Sequence, residues 1–131
     1  MAEAPALHSH HQELREEMRG PVMWLTIDRK ERRNAISTGV LSALSEALAR
    51  ADKDRAVRAV VITGAGTRAF CAGADLQSGS AFRFDHAEPY QGFANLLRQA
   101  RQLTVPLVAR VNGACMAGGM GLLGMCDMAV A

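Results

Sequence analysis

Short apolar runs alternate with amphipathic segments along this chain, and no other feature limits its fold as strongly. Each apolar run ends at glycine, proline or polar residues, as buried strands do, while the amphipathic segments repeat apolar residues at helical spacing. Crossovers from strand to helix to strand place successive strands parallel in one sheet, so the sequence predicts an α/β fold. The predicted strands are 22–27, 57–63, 107–111 and 127–131. The predicted helices are one that Ser37 or Thr38 caps and the DKD segment at 52–54 ends, one over about 88–103 and one over about 118–125.

The length of the chain allows one modest domain with a single core. Its 131 residues are 49% hydrophobic and 21% charged, which is typical of a globular protein. The net charge of +2 leaves no basic stripe for nucleic acid, and no apolar run reaches the roughly 18 residues of a membrane span. Because the first residues also lack a secretory or transit signal, we expect a cytoplasmic protein that binds neither nucleic acid nor membrane.

Residues 1–19 are predicted to be a flexible polar tail, and residues 20–131 the folded domain. The tail contains HSHH at 8–11, which could in principle chelate a metal, but no carboxylate or cysteine nearby completes a site. The three cysteines, Cys71, Cys115 and Cys126, lack the short paired spacing of a zinc site. We therefore expect reduced thiols and no bound metal.

Two segments rich in small residues follow predicted strands, where the reactive groups of parallel sheets collect. They are RAFCAGADLQSG (68–79) and NGACMAGGMGLLGMCD (112–127). Small residues let a ligand approach backbone N–H groups, so either segment could bind a phosphate or form half of an oxyanion hole. Neither carries the order of glycines, lysine and hydroxyl residues that nucleotide loops require. Taken singly, each segment is also explained by a tight turn and close packing of a helix.

Taken together, the two segments resemble the enoyl-CoA hydratase/isomerase family, also called the crotonase superfamily. The similarity rests on RAFCAGADL, on VPLVARVNGACMAGGMGLLGMCDMAVA about forty residues later, and on LTIDRKERRNAIS near the start of the domain. It covers about residues 20–131 and identifies the family more specifically than it identifies a reaction. It implies a crotonase-like superhelix of repeated strand-strand-helix units, which is incomplete in this chain.

The resemblance also implies a substrate and a site. The substrate would be an acyl-coenzyme A, whose thioester carbonyl accepts hydrogen bonds from the backbone amides of Ala74 and Gly118. No separate cofactor is expected, because coenzyme A is part of the substrate, and family members are usually trimers or hexamers. The residues expected to bind substrate are Ala72, Gly73, Ala74, Asp75, Leu76 and Gly118.

One departure from the family pattern concerns the reaction. Hydratases of this family carry a catalytic glutamate three residues after the oxyanion glycine, where this chain has Gly121. A glycine cannot hold or donate a proton, and the second catalytic acid would lie about ten residues after Ala131. We therefore expect the chain alone to be poorly active. The resemblance predicts an acyl-CoA-processing enzyme, either a hydratase or an isomerase, that stabilises a thioester enolate, and the alternative is a non-catalytic acyl-CoA binder. Serine peptidases of related fold are disfavoured, because no serine is placed beside these turns.

Charged side chains near the two segments have several interpretations. Asp85, His86 and Glu88 could border the acyl pocket or lie in a solvated loop, and Asp75 more plausibly caps a helix or holds its loop than titrates. Gln77 replaces a lysine that many family members place near the coenzyme phosphates. The alternative phosphate partners, which could equally form a solvated basic loop, are Arg29, Arg32, Arg33 and Arg68.

Overall fold

Two sheets organise the structure, a computed structural model that describes residues 13–75 and 92–131. The main sheet has five strands in the order β1-β2-β3-β5-β7, and a second sheet pairs β4 with β6. The strands are β1 (Leu14–Arg19), β2 (Val22–Ile27), β3 (Ala59–Gly64), β4 (Ala69–Cys71), β5 (Leu107–Arg110), β6 (Ala114–Cys115) and β7 (Met128–Val130). The helices are α1 (Thr38–Lys53), α2 (Gly92–Gln102) and α3 (Gly118–Gly124), with a 3₁₀ turn at Lys30–Arg32.

The start of the domain differs from the prediction. Residues 14–19, expected in a flexible tail, form β1 and pair antiparallel with β2, so that Arg19 faces Val22 across a two-residue turn. Gly20 has a φ of 59°, which glycine adopts without strain. The prediction failed because LREEMR buries only Leu14, as an edge strand can, and so looks like a polar tail. The HSHH segment lies outside the described residues.

Helix α1 begins and ends where the sequence predicted. The Ser37 hydroxyl accepts a hydrogen bond from the Val40 amide, which caps the helix, and the helix ends within the DKD segment. Its apolar face lies over the sheet and supplies a large part of the core. The buried residues of α1 are Val40, Leu41, Ala43, Leu44, Ala47, Leu48 and Ala51.

The parallel part of the main sheet confirms the predicted α/β organisation. Strands β2, β3, β5 and β7 are all parallel to one another. Helix α2 lies within the predicted helix 88–103, of which residues 88–91 are outside the described residues. Asp127 fixes the start of the last strand, since its carboxylate accepts a hydrogen bond of 2.8 Å from the Leu107 amide. In the described part of the chain, no helix is long and apolar enough to cross a membrane.

The second sheet was not predicted as separate strands. Strand β4 has three residues and β6 has two, which is too short for any periodicity to be visible in the sequence. The two strands are parallel, with Ala69 opposite Ala114 and Cys71 opposite Cys115. The segments that follow them therefore leave the small sheet at the same end.

Candidate functional site

The small sheet aligns the two segments that the sequence singled out. The Ala114 amide donates to the Arg68 carbonyl over 3.0 Å, and the Met116 amide donates to the Cys71 carbonyl over the same distance. These bonds extend the pairing of β4 and β6 towards the segments 72–75 and 116–118. The structure thus brings together the predicted residues Ala72, Gly73, Ala74, Asp75 and Gly118, while Leu76 lies outside the described residues.

Glycines let the two backbones approach each other closely. A Cβ atom placed on Gly118 would lie 3.3 Å from the Ala74 nitrogen, and one placed on Gly73 would lie 3.6 Å from the Gly118 nitrogen. Gly73 has a φ of 127°, a conformation that other residues rarely adopt. The amides of Ala74 and Gly118 are therefore close neighbours, although about forty residues separate them in sequence.

Neither of these two amides donates a hydrogen bond within the described part of the chain. Ile36 forms a parallel bridge with this segment, in which its amide donates to the Gly73 carbonyl and its carbonyl accepts from the Asp75 amide. This pattern turns the Ala74 N–H away from Ile36. Gly118 is the first residue of α3, so its N–H has no partner inside the helix. Both residues are partly exposed, so neither lies in the fully buried core.

Gly121 lies beneath an aromatic ring. A Cβ atom on Gly121 would lie 3.0 Å from Cζ of Phe93, and a Cβ atom on Gly118 would lie 3.5 Å from Cε2 of the same ring. Phe93, from the first turn of α2, was predicted only as a core residue. Its ring occupies the space into which a side chain at position 121 would extend.

Arg29 is buried instead of lying in a solvated loop. Its side chain is 9% exposed, and its guanidinium donates to Asp75 Oδ2 over 2.8 Å and to the Ala35 carbonyl over 2.7 Å. A phosphate partner must be accessible, so the prediction of that role for Arg29 was wrong. The alternative prediction that Asp75 holds its loop agrees with this ion pair.

Two asparagines fix the loop that joins β3 to β4. The side-chain amides of Asn34 and Asn112 both donate to the Ala69 carbonyl, over 2.8 and 3.0 Å. Asn34 also donates to the Ala65 carbonyl, and Asn112 to that of Gly66. Sequence reasoning did not assign these residues, although each follows a predicted strand at its carboxyl end.

A small basic cavity lies beside this loop. Its lining includes the side chains of Lys30, Arg33 and Arg68, all of them exposed. Two of the predicted phosphate partners, Arg33 and Arg68, are therefore neighbours. Lys30 was not predicted, and its place in a basic run was the only sequence signal. Gln77 and the loop residues Asp85, His86 and Glu88 lie outside the described residues.

The cysteines do not supply a nucleophile at neutral pH. All three are free thiols, as predicted. Burial raises the pKa of Cys71 to about 11 and that of Cys126, which also lies beside Asp127, to about 12. Burial raises the pKa of Cys115 as well. Thiols with raised pKa values stay protonated and weakly reactive. No group of side chains within 13–75 and 92–131 is arranged to hold a metal ion.

Comparison with known proteins identifies the family of this chain. The family model described as enoyl-CoA hydratase/isomerase matches residues 17–131, which is nearly the whole chain. The chain belongs to the enoyl-CoA hydratase/isomerase family. It is 39% identical over 115 residues to a protein of Mycobacterium tuberculosis named "Probable enoyl-CoA hydratase EchA14", covering 84% of this chain and 43% of that protein. It is also 34% identical over 119 residues to mouse mitochondrial methylglutaconyl-CoA hydratase, covering 90% and 38%.

Solved structures of the family show the same fold. A carnitinyl-CoA hydratase from Mycobacterium avium superposes with a TM-score of 0.78 at 40% identity, covering 92% of this chain and 46% of that one. A family member from Acinetobacter baumannii gives a TM-score of 0.81 at 30% identity, covering 92% and 50%. The chain thus spans about half the length of its relatives. The crotonase-like fold is confirmed, and it is incomplete in this chain.

Proposed function

We propose that this chain supplies the thioester-binding part of an acyl-CoA-processing enzyme. The amides of Ala74 and Gly118 would donate to the carbonyl oxygen of the thioester and stabilise the enolate that forms from it. The observation that carries the proposal is the meeting of two amides, from two different segments, neither of which donates to another described residue. Together they would form a backbone oxyanion hole.

Fixed backbone dipoles suit this chemistry. Negative charge develops on the thioester oxygen as the enolate forms, and amides that already point at that oxygen need no reorganisation. Each such donor typically contributes a factor of about 100 to 1000 in rate. The small side chain of Ala74 and the absence of one at Gly118 leave room for the ligand.

The rest of the ligand would lie along the main chain of the first segment. Ala72, Gly73, Asp75 and Leu76 are the residues proposed to line the coenzyme. The phosphates carry negative charge, and the cavity lined by Lys30, Arg33 and Arg68 lies on the loop before β4. We propose these three side chains as the phosphate partners.

The reaction itself is less specified than the binding site. Gly121 offers no carboxylate, and the ring of Phe93 makes the neighbouring wall apolar. An apolar wall favours an isomerase or a non-catalytic acyl-CoA binder over a hydratase, which must hold a water molecule beside the enoyl group. The non-catalytic binder is therefore the second candidate function. A cytoplasmic location and a trimeric or hexameric assembly remain predictions.

Binding of butyryl-CoA labelled with ¹³C at the carbonyl tests the proposed oxyanion hole. We expect the carbonyl resonance to move downfield on binding, because two N–H donors polarise the bond. Gly118→Pro removes one donor at the first helical position, where proline is tolerated, and should weaken binding about tenfold and reduce the shift. The comparison variant Gly118→Ala also adds side-chain volume at this position but keeps the N–H, so it should retain more of the shift than the proline variant. An unchanged shift in the proline variant would contradict the assignment.

Turnover distinguishes the two candidate functions. We expect the chain to bind crotonyl-CoA without measurable hydration, as followed by the loss of enoyl absorbance. Rapid hydration by the 131-residue chain would contradict both the expected low activity and the candidate function of a non-catalytic binder. Transfer of the double bond in a 3-enoyl-CoA, without hydration, would favour the isomerase.

A further inference from the structure

Arg29 is a buried cation close to the proposed oxyanion hole. It follows β2, at the carboxyl end of the main sheet, and its backbone amide donates to Asn34 Oδ1 over 2.9 Å. Its guanidinium contacts Asp75 and the Ala35 carbonyl. Its Nε also lies 3.0 Å from Glu13 Oε2, but this ion pair does not have the geometry of a hydrogen bond. A cation this buried, with two directed bonds to Asp75 and Ala35, has a defined orientation.

Asp75 carries this orientation to the neighbouring residue. Its side chain is 10% exposed and turned towards Arg29, and its backbone amide donates to the Ile36 carbonyl over 2.8 Å. On the other side of Ala74, the Gly73 carbonyl accepts from the Ile36 amide over 2.7 Å. Ala74 is therefore held between two fixed residues, and the direction of its N–H depends on both.

Stability alone is a weak explanation for this ion pair. Removing two charges from water costs about as much free energy as their attraction returns, so apolar replacements of a buried pair are often neutral or stabilising. A short pair with a second bond to Ala35 does fix geometry, however. Asp75 directly follows Ala74 in the chain, so a single peptide unit separates the ion pair with Arg29 from Ala74.

We propose that Arg29 is a positioning residue that sets the direction of the Ala74 amide through Asp75. The inference rests on the proposed function, since it concerns the amide that would bind the thioester oxygen. Arg29 touches no substrate in this account. Its effect should appear in the polarisation of the carbonyl and not in the affinity for the coenzyme.

The double variant Arg29→Met/Asp75→Asn tests the inference without leaving an unpaired buried charge. At saturating ligand, we expect the carbonyl shift of bound ¹³C-butyryl-CoA to fall by about half or more, and coenzyme affinity is compared in Arg29→Lys, which leaves Asp75 in place. Arg29→Lys keeps the charge but cannot bond Asp75 and Ala35 together as a planar guanidinium does, so an intermediate shift is expected. The matched control is Arg50→Met/Glu16→Gln, which removes an ion pair between α1 and β1 far from Ala74 and should retain the full shift.

The outcomes separate this inference from the proposed function. If wild type shows no carbonyl shift, the proposed oxyanion hole is contradicted, and so is the role of Arg29 that depends on it. If wild type shows the shift and Arg29→Met/Asp75→Asn retains it, only the positioning role is overturned. Should the double variant fail to fold, Arg29→Lys decides: a wild-type shift in a folded lysine variant overturns the inference, and a reduced shift with normal coenzyme affinity supports it.

Discussion

The two segments that meet at the proposed oxyanion hole are held in place by different means. Residues 73–75, the first amide segment, are fixed by a bridge to Ile36 and by the ion pair of Asp75 with Arg29. For residues 117–119, the second amide segment, the described part of the chain shows no comparable bridge or ion pair. Gly119 instead packs so tightly that a Cβ atom there would overlap the Cys71 carbonyl. One segment is positioned by directional bonds and the other by close packing, so different substitutions should disrupt them.

The first amide segment should be most sensitive to loss of charge. Arg29→Met removes the guanidinium that bonds the buried Asp75 carboxylate, and breaking one side of a buried pair costs about 3–5 kcal/mol. We expect a loss of that size in the free energy of unfolding, measured by urea denaturation. Adding Asp75→Asn should restore much of the loss. If the single and double variants are equally unstable, the ion pair does not hold this segment.

The second amide segment should be most sensitive to added volume. Gly119→Ala forces a methyl group into the Cys71 backbone, which cannot move aside as a side chain can. Overpacking of this kind typically costs about 1–3 kcal/mol, and we expect the upper end, as a lowered midpoint of urea unfolding. Gly124→Ala is the matched control on the same helix, because a Cβ atom there meets nothing within 4 Å. Similar losses in both variants would show that packing against β4 is not what places α3.

Cys71 lies where the two segments meet, and its thiol makes their contact sensitive to pH. Its pKa is 9.0 in the unfolded chain and about 11 in the folded one, because burial disfavours the thiolate. Stability from this thiol is therefore present below pH 9 and lost as the pH rises towards 11, by an amount on the order of 2 kcal/mol. Unfolding free energies measured from pH 8 to 11 should fall less steeply in Cys71→Ala. Identical slopes would show that the thiol is not buried as described.

The smallest expected effect concerns backbone strain in the second segment. Ala117 has a φ of 50° and a ψ of −120°, a combination that residues with a Cβ atom rarely adopt. Ala117→Gly relieves this strain at some cost in chain entropy, so we expect a gain of about 0.5–1 kcal/mol in thermal unfolding. Ala114→Gly, in β6, has ordinary backbone angles and should lose stability instead. A loss in both variants would mean that Ala117 is unstrained.

Sequence reasoning predicted the parallel strands of the main sheet and the two amide segments. It did not predict the contacts that hold these segments in place. The Ser37 cap, the apolar stripe of α1 and the buried run of β2 are local signals, and each predicted its element. Arg29 looked like a solvated cation because nothing near it in sequence marks its partner, which lies 46 positions away. The small sheet was missed for a related reason. Its strands form because residues far apart in sequence pair with each other, and no local hydrophobic periodicity indicates such pairing.

The parallel pairing of β4 with β6 has a consequence for folding. Its two strands close a loop of roughly forty residues, so the entropy of that closure must be overcome before the Ala74 and Gly118 amides can meet. A partly folded chain that has formed only the β1–β2 hairpin and α1 contains both amides but no neighbouring pair of donors. If the proposed oxyanion hole binds a thioester, the bound ligand stabilises only molecules in which β4 and β6 have paired.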